Sequence, residues 1–373
     1  MSSNESVPDS ASQLIALEHA AQACHVNAFG LSLGELKAHC QASVIDSAIT
    51  LTVTLGLPIA ALNNELHAAL EKIVKPLTAG VELHIDIKGD IPAGSGNGKT
   101  QALPGVKNII AVASGKGGVG KSATALNLAL ALRSQGASVG LLDADIYGPS
   151  QPNMMGVAGD TRPEVEDQKY FLPVMAHGLQ TMSMGYMVTE KTPMAWRGPM
   201  VSGALMQMIG QTRWNDLDYL LIDMPPGTGD IQLTLAQQVP CTGCVIVTTP
   251  QNIALLDARK GIEMFQKVGI DCLGIVENMA THICSQCGHE EFIFGTGGGE
   301  SIAEEYAVPL LGSLPLAPII REMFDQGQPI VTAQPDSPIT EQYIKIAQQL
   351  ALRVCQAADD TTVAVPEIII SDD

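Results

Sequence analysis

The chain has 373 residues and a formal net charge of −19, with 46% hydrophobic and only 4% aromatic residues. This length predicts one large domain with a smaller companion, and the acidic balance argues against a nucleic-acid partner, since few cationic groups could neutralise phosphates. No uninterrupted apolar stretch is long enough to cross a bilayer, and the polar first residues argue against a secretory signal. Eight cysteines in a chain of this length do not indicate a fold held together by disulfide bonds. We therefore expect a cytoplasmic protein without a membrane or nucleic-acid partner.

The N-terminal part of the chain predicts a short disordered segment, residues 1–10, and then a small α+β unit. Two stretches have apolar residues at helical spacing, and two others alternate polar and apolar side chains as half-buried strands do: Ser12–Cys24, Ile59–Leu77, Ala48–Leu55 and Val81–Ile87. We assign this unit to residues 11–90 and expect it to have a partner-docking or structural role.

A stretch rich in proline and glycine, residues 91–106, predicts a linker to a larger domain over residues 107–355. In that domain strands alternate with helices, which favours an α/β fold: a mostly parallel sheet with helices on both faces. The candidate strands are Asn108–Ala113, Ser138–Leu142, Leu179–Met184, Asp218–Ile222, Gly243–Thr248, Asp271–Glu277 and Leu310–Leu314. The candidate helices include Val201–Gln211, Ile253–Val268 and Pro338–Cys355. Residues 356–373 predict an acidic tail.

A glycine-rich octet after the first of these strands is the strongest functional signal. Its members are Gly115, Lys116, Gly117, Gly118, Val119, Gly120, Lys121 and Ser122. Because a strand precedes the octet and a helical stretch beginning at Ala123 follows it, the pattern is that of a phosphate-binding P-loop. The loop, together with Ala123, is expected to bind ATP through backbone N–H groups and the positive end of the helix. Lys121 should reach the β- and γ-phosphates, and the Ser122 hydroxyl should ligate Mg²⁺.

Acidic residues at the ends of two other strands complete the predicted nucleotide site. Asp223 ends the apolar run Tyr219–Ile222, and a carboxylate in this position holds Mg²⁺ directly or through a water. Asp143 and Asp145 follow the second predicted strand and are expected to act at the same site. Gly227 lies in the loop after Asp223, where its N–H could sense the γ-phosphate, as loops of switching proteins do.

The octet resembles the deviant Walker A motif of the ATPase class that includes MinD, ParA and the nitrogenase iron protein. Lys116 has the position of the signature lysine, which in that class reaches across a dimer interface to the nucleotide of the partner subunit. The resemblance therefore implies an ATP-sandwich homodimer. No general base is evident in the sequence, so we expect Asp145 to place the attacking water while Lys116, Lys121 and Mg²⁺ stabilise the developing charge.

Within that class the chain is most similar to the Mrp/ApbC family of iron–sulfur cluster carriers, over about Lys107–Leu350. The segments that carry this resemblance are Asp143–Ser150, Trp196–Met200, Asp223–Asp230, Thr248–Gln251, Glu277–Met279 and Phe294–Gly299. The resemblance implies that Asn278 binds the adenine edge, for which an amide has the matching donor and acceptor. The small N-terminal unit resembles the domain that precedes the ATPase in many such proteins. Ile59 and Ala60, however, stand where a cysteine often follows the proline, here Pro58.

Cys284 and Cys287 are separated by two residues, a spacing at which two thiolates can ligate one metal. They supply only half of a four-thiolate site. A symmetric dimer would bring a second pair and complete a [4Fe–4S] cluster on its two-fold axis. Alternatively, His282 and His289 would complete a zinc site within one chain, or the thiols are free or redox-active. The family resemblance favours the bridging cluster.

Together these features predict an ATP-hydrolysing homodimer that carries a [4Fe–4S] cluster between an iron–sulfur assembly scaffold and apoprotein recipients. Two alternatives remain. One is a positional switch ATPase of the MinD/ParA type, against which the acidic charge counts; the other is a zinc-binding metallochaperone ATPase. A second closely spaced pair is assigned to a turn, Cys241, and to the core, Cys244. The remaining cysteines are assigned to packing: Cys24, Cys40, Cys272 and Cys355.

Overall fold

The small N-terminal unit is an α+β structure in the computed structural model, which describes residues 11–94, 96, 101–187, 198–284 and 286–362. Its elements are α1 (Ala11–Gln22), β1 (His25–Val26), β2 (Leu31–Ser32), β3 (His39–Ile45), β4 (Ala48–Leu55), α2 (Asn63–Val74) and β5 (Leu83–Gly89). The central strand β4 pairs antiparallel with β3 and parallel with β5. The sequence predicted both helices and the strands β4 and β5 but missed the two-residue strands β1 and β2 and the longer β3. The inward-facing residues of β3 include the small Cys40 and Ala42.

The larger unit contains the strands and helices that the sequence predicted, together with short additional elements. Its strands are β6 (Val106–Ala113), β7 (Val139–Asp143), β8 (Val165–Glu166), β9 (Tyr170–Phe171), β10 (Val174–Ala176), β11 (Leu179–Ser183), β12 (Leu217–Asp223), β13 (Gly243–Thr248), β14 (Cys272–Glu277), β15 (His282–Ile283), β16 (Glu290–Glu291) and β17 (Leu310–Ser313). Its helices are α3 (Lys121–Ser134), α4 (Gln151–Met154), α5 (Gly198–Gln211), α6 (Asp230–Gln238), α7 (Asn252–Val268), α8 (Gly298–Tyr306), α9 (Pro318–Asp325), α10 (Ile330–Ala333) and α11 (Pro338–Thr362).

Eight of these strands form a sheet in the spatial order β10, β11, β7, β12, β6, β13, β14, β17, and all neighbours are parallel except β10 and β11. Alternate residues of β6 face two helical layers. Ile110 and Val112 pack with residues of α3 and α11, whereas Ile109 and Ala111 pack with residues of α5 to α7. The prediction of a mostly parallel sheet covered by helices on both faces is confirmed. In such a sheet the carboxyl ends of the strands form the ligand-binding edge.

The linker and the small unit are held against the larger unit. The backbone N–H of Ala60 donates to the carbonyl of Gln135 at 2.9 Å, and the Asn108 side chain donates to the carbonyl of Pro92 at 2.8 Å. A Cβ at Gly56 would lie 2.6 Å from Sγ of Cys355, so this glycine packs closely against α11. At least the beginning of the predicted linker is therefore a hydrogen-bonded structural segment.

The end of the larger unit differs from the prediction, because α11 continues to Thr362 rather than ending at Cys355. Several predictions lie outside the described residues: the disordered segment 1–10, parts of the linker, Trp196 and Arg197 of the family motif, and the tail from residue 363. Within the described part of the chain, no helix combines the length and the apolar composition that crossing a membrane requires.

Candidate nucleotide site and cysteine ribbon

The glycine-rich octet forms the turn between the central strand β6 and the buried helix α3, as predicted. Gly120 caps the helix with φ of 82°, a conformation that favours glycine. Gly115 lies against α7, where a Cβ would approach the carbonyl oxygen of Asp257 to 2.1 Å. The loop is thus held between two helices by residues that must lack side chains. Its N–H groups and the N-terminus of α3 provide the anion site of a P-loop.

Lys121 lies at the centre of this site and is only 6% exposed. Its ammonium pairs with the fully buried carboxylate of Asp223 at the end of β12, and it also donates to the Ser122 hydroxyl at 3.2 Å. The structure therefore brings together the lysine that is predicted to bind phosphates and both predicted Mg²⁺ ligands. A hydroxyl and a carboxylate are hard oxygen donors of the kind that Mg²⁺ prefers, so the residues present fit that ion.

Asp143 and Asp145 lie beside this pair at the end of β7. Asp143 is fully buried and accepts hydrogen bonds from the Asp145 N–H, the Gln151 N–H and the Ser183 hydroxyl. Burial, and then the nearby Asp223 carboxylate, raise the pKa of Asp143 to about 7. Asp145 is partly exposed, and burial raises its pKa while the Lys121 ammonium opposes that shift. Asp143 thus holds the loop after β7, and Asp145 is the carboxylate nearer to solvent.

Two further predicted residues contact the P-loop or the strand before it. The Asn278 side chain, at the end of β14, donates to the carbonyl of Val119 at 2.8 Å and is only 7% exposed. The Gly227 N–H donates to the carbonyl of Ser114 at 2.9 Å. The loops after β12 and β14 are therefore hydrogen-bonded to the segment that would bind phosphates.

Lys116 is only partly buried, and none of the hydrogen bonds or ion pairs in the described part of the chain involves its ammonium. Its carbonyl accepts the Ser114 hydroxyl at 2.9 Å, which fixes the backbone while leaving the side chain able to extend. This arrangement is compatible with the implied role of Lys116 toward a partner subunit.

Two buried glutamines belong to the site although the sequence analysis did not single them out. Gln151 connects Ser122 with Asp223, and Gln232 donates to the carbonyl of Pro226 in the loop after β12. Glutamine is common on surfaces, and its partners here come from distant parts of the chain. No sequence signal distinguished these two from the many exposed glutamines.

Cys284 and Cys287 lie at the tip of a short ribbon formed by β15 and β16, directly beyond β14. Cys284 is partly exposed and Cys287 is exposed. The Cys287 N–H, then the Gln286 N–H and the Cys287 side chain, lower the pKa of Cys284 by hydrogen bonding to its sulfur. The ribbon thus presents two neighbouring sulfurs in a turn that favours a thiolate, the form that binds metals.

The described residues of the ribbon are not arranged as the alternative zinc site would require. Nδ1 of His282 lies 3.0 Å from a carboxylate oxygen of Glu291 on the paired strand. Among the residues that the structure describes, no three or more histidine, cysteine or acidic side chains converge in an arrangement that could hold a metal ion. One chain therefore supplies the two thiols of Cys284 and Cys287 without completing a four-ligand site.

The other closely spaced pair is buried, as expected for Cys244. Cys241 is 3% exposed and Cys244 is 0% exposed, and burial raises the pKa of Cys241 to about 12. Burial also raises the pKa of Cys244, with a hydrogen bond to Cys272 adding to the shift. These thiols pack inside the protein and offer no surface for a metal.

The fold and the site define a P-loop NTPase. The family model of the ParA/NUBPL iron-transfer P-loop NTPases matches residues 105–351, and the chain belongs to this family. An iron–sulfur cluster carrier protein of Pseudomonas fragi is 66% identical over 253 residues, which cover 67% of this chain and 88% of the relative. A carrier protein of Synechocystis sp. is 44% identical over 331 residues, covering 88% of this chain and 94% of the relative.

The likeness extends to solved structures. A nucleotide-binding protein from Archaeoglobus fulgidus, solved in complex with ADP, is 34% identical and superposes with a TM-score of 0.55, covering 64% of this chain and 92% of that protein. The Synechocystis match is longer than the segment from residue 105 to the C-terminus, so it includes part of the small N-terminal unit.

Proposed function

We propose that the protein is an ATP-hydrolysing homodimer that holds a [4Fe–4S] cluster between two copies of the Cys284–Cys287 pair. The cluster is cargo: it is received from an assembly scaffold and passed to apoprotein recipients. The observation that carries this proposal is the exposed cysteine ribbon, which offers two thiols on one chain with no third ligand close by among the described residues.

The number of thiols argues for a second copy of the chain. A [4Fe–4S] cluster takes four cysteine thiolates, and a symmetric dimer supplies two from each subunit. The lowered pKa of Cys284 favours the thiolate that such a cluster needs. Because Cys287 is exposed, the shared cluster would remain within reach of a recipient.

The surface beside the ribbon supports a dimer. Ile283, Phe292 and Ile293 are about half exposed on and next to the ribbon, at 53%, 53% and 51%. Ile253 and Leu256 on the first turns of α7 are 70% and 55% exposed at the same edge of the sheet. Large apolar side chains grouped beside a binding site commonly mark an interaction surface. A second copy of the chain would cover them.

The nucleotide site supplies the chemistry that would open and close the dimer. The Lys121 side chain would move, so that its ammonium leaves Asp223 and contacts the phosphates of ATP. Ser122 and Asp223 would hold Mg²⁺. When bound, Mg²⁺ neutralises phosphate charge during hydrolysis. Lys116 would reach the nucleotide of the partner subunit, and Asp145 would orient the attacking water.

The site and the ribbon are connected through one short segment of chain. Asn278 at the end of β14 donates to the P-loop carbonyl of Val119, and Cys284 follows six positions later at the tip of the ribbon. A nucleotide that draws Asn278 toward its adenine would therefore move the base of the ribbon. This connection would couple nucleotide binding to the position of the thiols.

The proposal is tested by anaerobic reconstitution with iron and sulfide. The parent protein is expected to turn brown and to bind iron, and Cys284→Ala is expected to lose both properties while it still binds ADP. Cys241→Ala is the matched control, since it removes a buried cysteine from the other pair, which has the same spacing in sequence. Iron content in Cys284→Ala equal to the parent, or a colourless zinc-containing parent, would refute the assignment.

A further inference from the structure

Gln151, the first residue of α4, has a position that neither the motifs nor the proposed mechanism explains. The side chain is 1% exposed and lies between the P-loop helix and the end of β12. Its Nε2 donates to the carbonyl of Ser122 at 3.0 Å and to Oδ2 of Asp223 at 2.9 Å. One amide group thus joins the two residues that would hold Mg²⁺.

The orientation of this amide is determined by its partners. A carbonyl oxygen and a carboxylate oxygen both accept hydrogen bonds, so the amide atom that faces them must be the NH₂ group. The Oε1 atom consequently faces away from Ser122 and Asp223. It is buried, and it has no hydrogen-bond partner within the described part of the chain. The two hydrogen bonds of this side chain in the described part of the chain are therefore both made by its NH₂ group, toward Ser122 and Asp223.

We infer that Gln151 is a positioning residue for the Mg²⁺ of the proposed nucleotide site. Its NH₂ group holds the Asp223 carboxylate against the P-loop helix by donating both to that carboxylate and to the Ser122 carbonyl. This inference rests on the proposed function, since it needs the metal and nucleotide to bind where Ser122 and Asp223 converge.

The two oxygens of Asp223 explain why such a residue is needed. Oδ1 is paired with the Lys121 ammonium, and Oδ2 accepts from Gln151. When Lys121 moves to the phosphates, Oδ1 becomes available to the metal while Gln151 still fixes the other oxygen. Without Gln151 the carboxylate would be free to rotate toward its neighbours, and the metal would lose an oriented ligand. Groups that orient metal ligands typically contribute 10- to 100-fold to metal affinity.

The test measures how the affinity for a fluorescent ADP depends on Mg²⁺, a readout that involves no hydrolysis. Gln151→Leu is expected to bind ADP in EDTA within about twofold of the parent, and to require roughly tenfold more Mg²⁺ for the same gain in affinity. Gln151→Asn, which keeps the amide but shortens it, should show the same loss. Gln135→Leu is the matched control, because Gln135 is 3% exposed near the opposite end of α3.

The outcomes separate this inference from the function on which it rests. If the parent responds to Mg²⁺ and both Gln151 variants respond equally, the role of Gln151 is overturned and the nucleotide site stands. Loss of ADP binding in EDTA by both variants also overturns it, since the residue would then support the P-loop in general. If the ADP affinity of the parent protein does not change with Mg²⁺ concentration, both the inference and the proposed site are overturned.

Discussion

The ammonium of Lys121 and the carboxylate of Asp223 form a buried ion pair that joins the P-loop to the end of β12. The sequence assigned these residues to different ligands, the lysine to phosphates and the aspartate to Mg²⁺. In the structure each neutralises the other. Binding of Mg²⁺ and nucleotide would therefore exchange one set of charge pairs for another, which limits the desolvation cost of holding either residue in the interior.

This pairing predicts that Lys121→Met destabilises the protein as well as abolishing nucleotide binding. The change leaves Asp223 buried and unpaired beside Asp143, and breaking a buried pair costs about 3 kcal/mol. Urea unfolding measures the loss. The double variant Lys121→Met/Asp223→Asn should regain most of that stability, since the charge is removed, yet it should not bind ADP. If the double variant is no more stable than Lys121→Met alone, the loss of stability does not come from breaking the Lys121–Asp223 ion pair.

Asn278 is predicted to select adenine through its oxygen. Because its NH₂ group donates to the carbonyl of Val119, Oδ1 is the atom left to accept a hydrogen bond from the 6-amino group of adenine. Guanine has an acceptor at that position. Asn278→Ala should weaken ADP binding by about tenfold, the equivalent of one hydrogen bond with a buried partner, and should change GDP binding much less. Calorimetry with both nucleotides checks this, and an equal loss for both would argue against base recognition.

Lys116 is predicted to act on the nucleotide of a second subunit. Its ammonium has no ion-pair partner in the described part of the chain, so Lys116→Ala should leave the unfolding free energy unchanged within about 0.5 kcal/mol. ADP binding should persist, whereas ATP hydrolysis should fall by at least tenfold. A mixture with Lys121→Met, which cannot bind nucleotide but retains Lys116, should regain part of the hydrolysis, because a mixed dimer brings an intact Lys116 to the nucleotide of the Lys116→Ala subunit. If Lys116→Ala hydrolyses ATP as fast as the parent, Lys116 does not act on the nucleotide of the partner subunit.

The two cysteine pairs are predicted to differ in reactivity toward iodoacetamide in iron-free protein. Hydrogen bonds from the Cys287 and Gln286 N–H groups lower the pKa of Cys284, so its alkylation rate should rise at lower pH than that of an ordinary thiol and level off above its pKa. Burial raises the pKa of Cys241 to about 12, so Cys241 should remain unmodified up to pH 9 in the folded protein. Peptide mapping across pH 6–9 separates the two, and rapid labelling of Cys241 would contradict its burial.

The sequence predicted the sheet and the P-loop well because their signals are local. A buried strand, a glycine-rich turn and a helix lie within one stretch of chain, and an acidic residue at the end of an apolar run marks Asp223. The residues of the site that were missed depend on distant partners. Gln151 contacts Ser122 and Asp223, which are 29 and 72 positions away, so no local pattern reveals it.

The strand β3 and the end of helix α11 differ from the sequence prediction for different reasons. The strand β3 buries small residues such as Cys40 and Ala42, which lack the β-branched and aromatic signal of the other strands. The C-terminal helix α11 extends beyond Cys355 because Ala358 continues its buried face at 6% exposure. The acidic residues that follow Ala358 in the sequence are typical of a tail, which is why the sequence predicts an earlier end of the helix.

The central claim is that one cluster is shared by the cysteine pairs of two chains. Native mass spectrometry of anaerobically reconstituted protein tests it directly. The account predicts a dimer that carries four iron and four sulfide per two chains, and a Cys284→Ala/Cys287→Ala protein with no bound iron. A monomer that carries a complete cluster, or a dimer whose iron is unaffected by removing both cysteines, would contradict it.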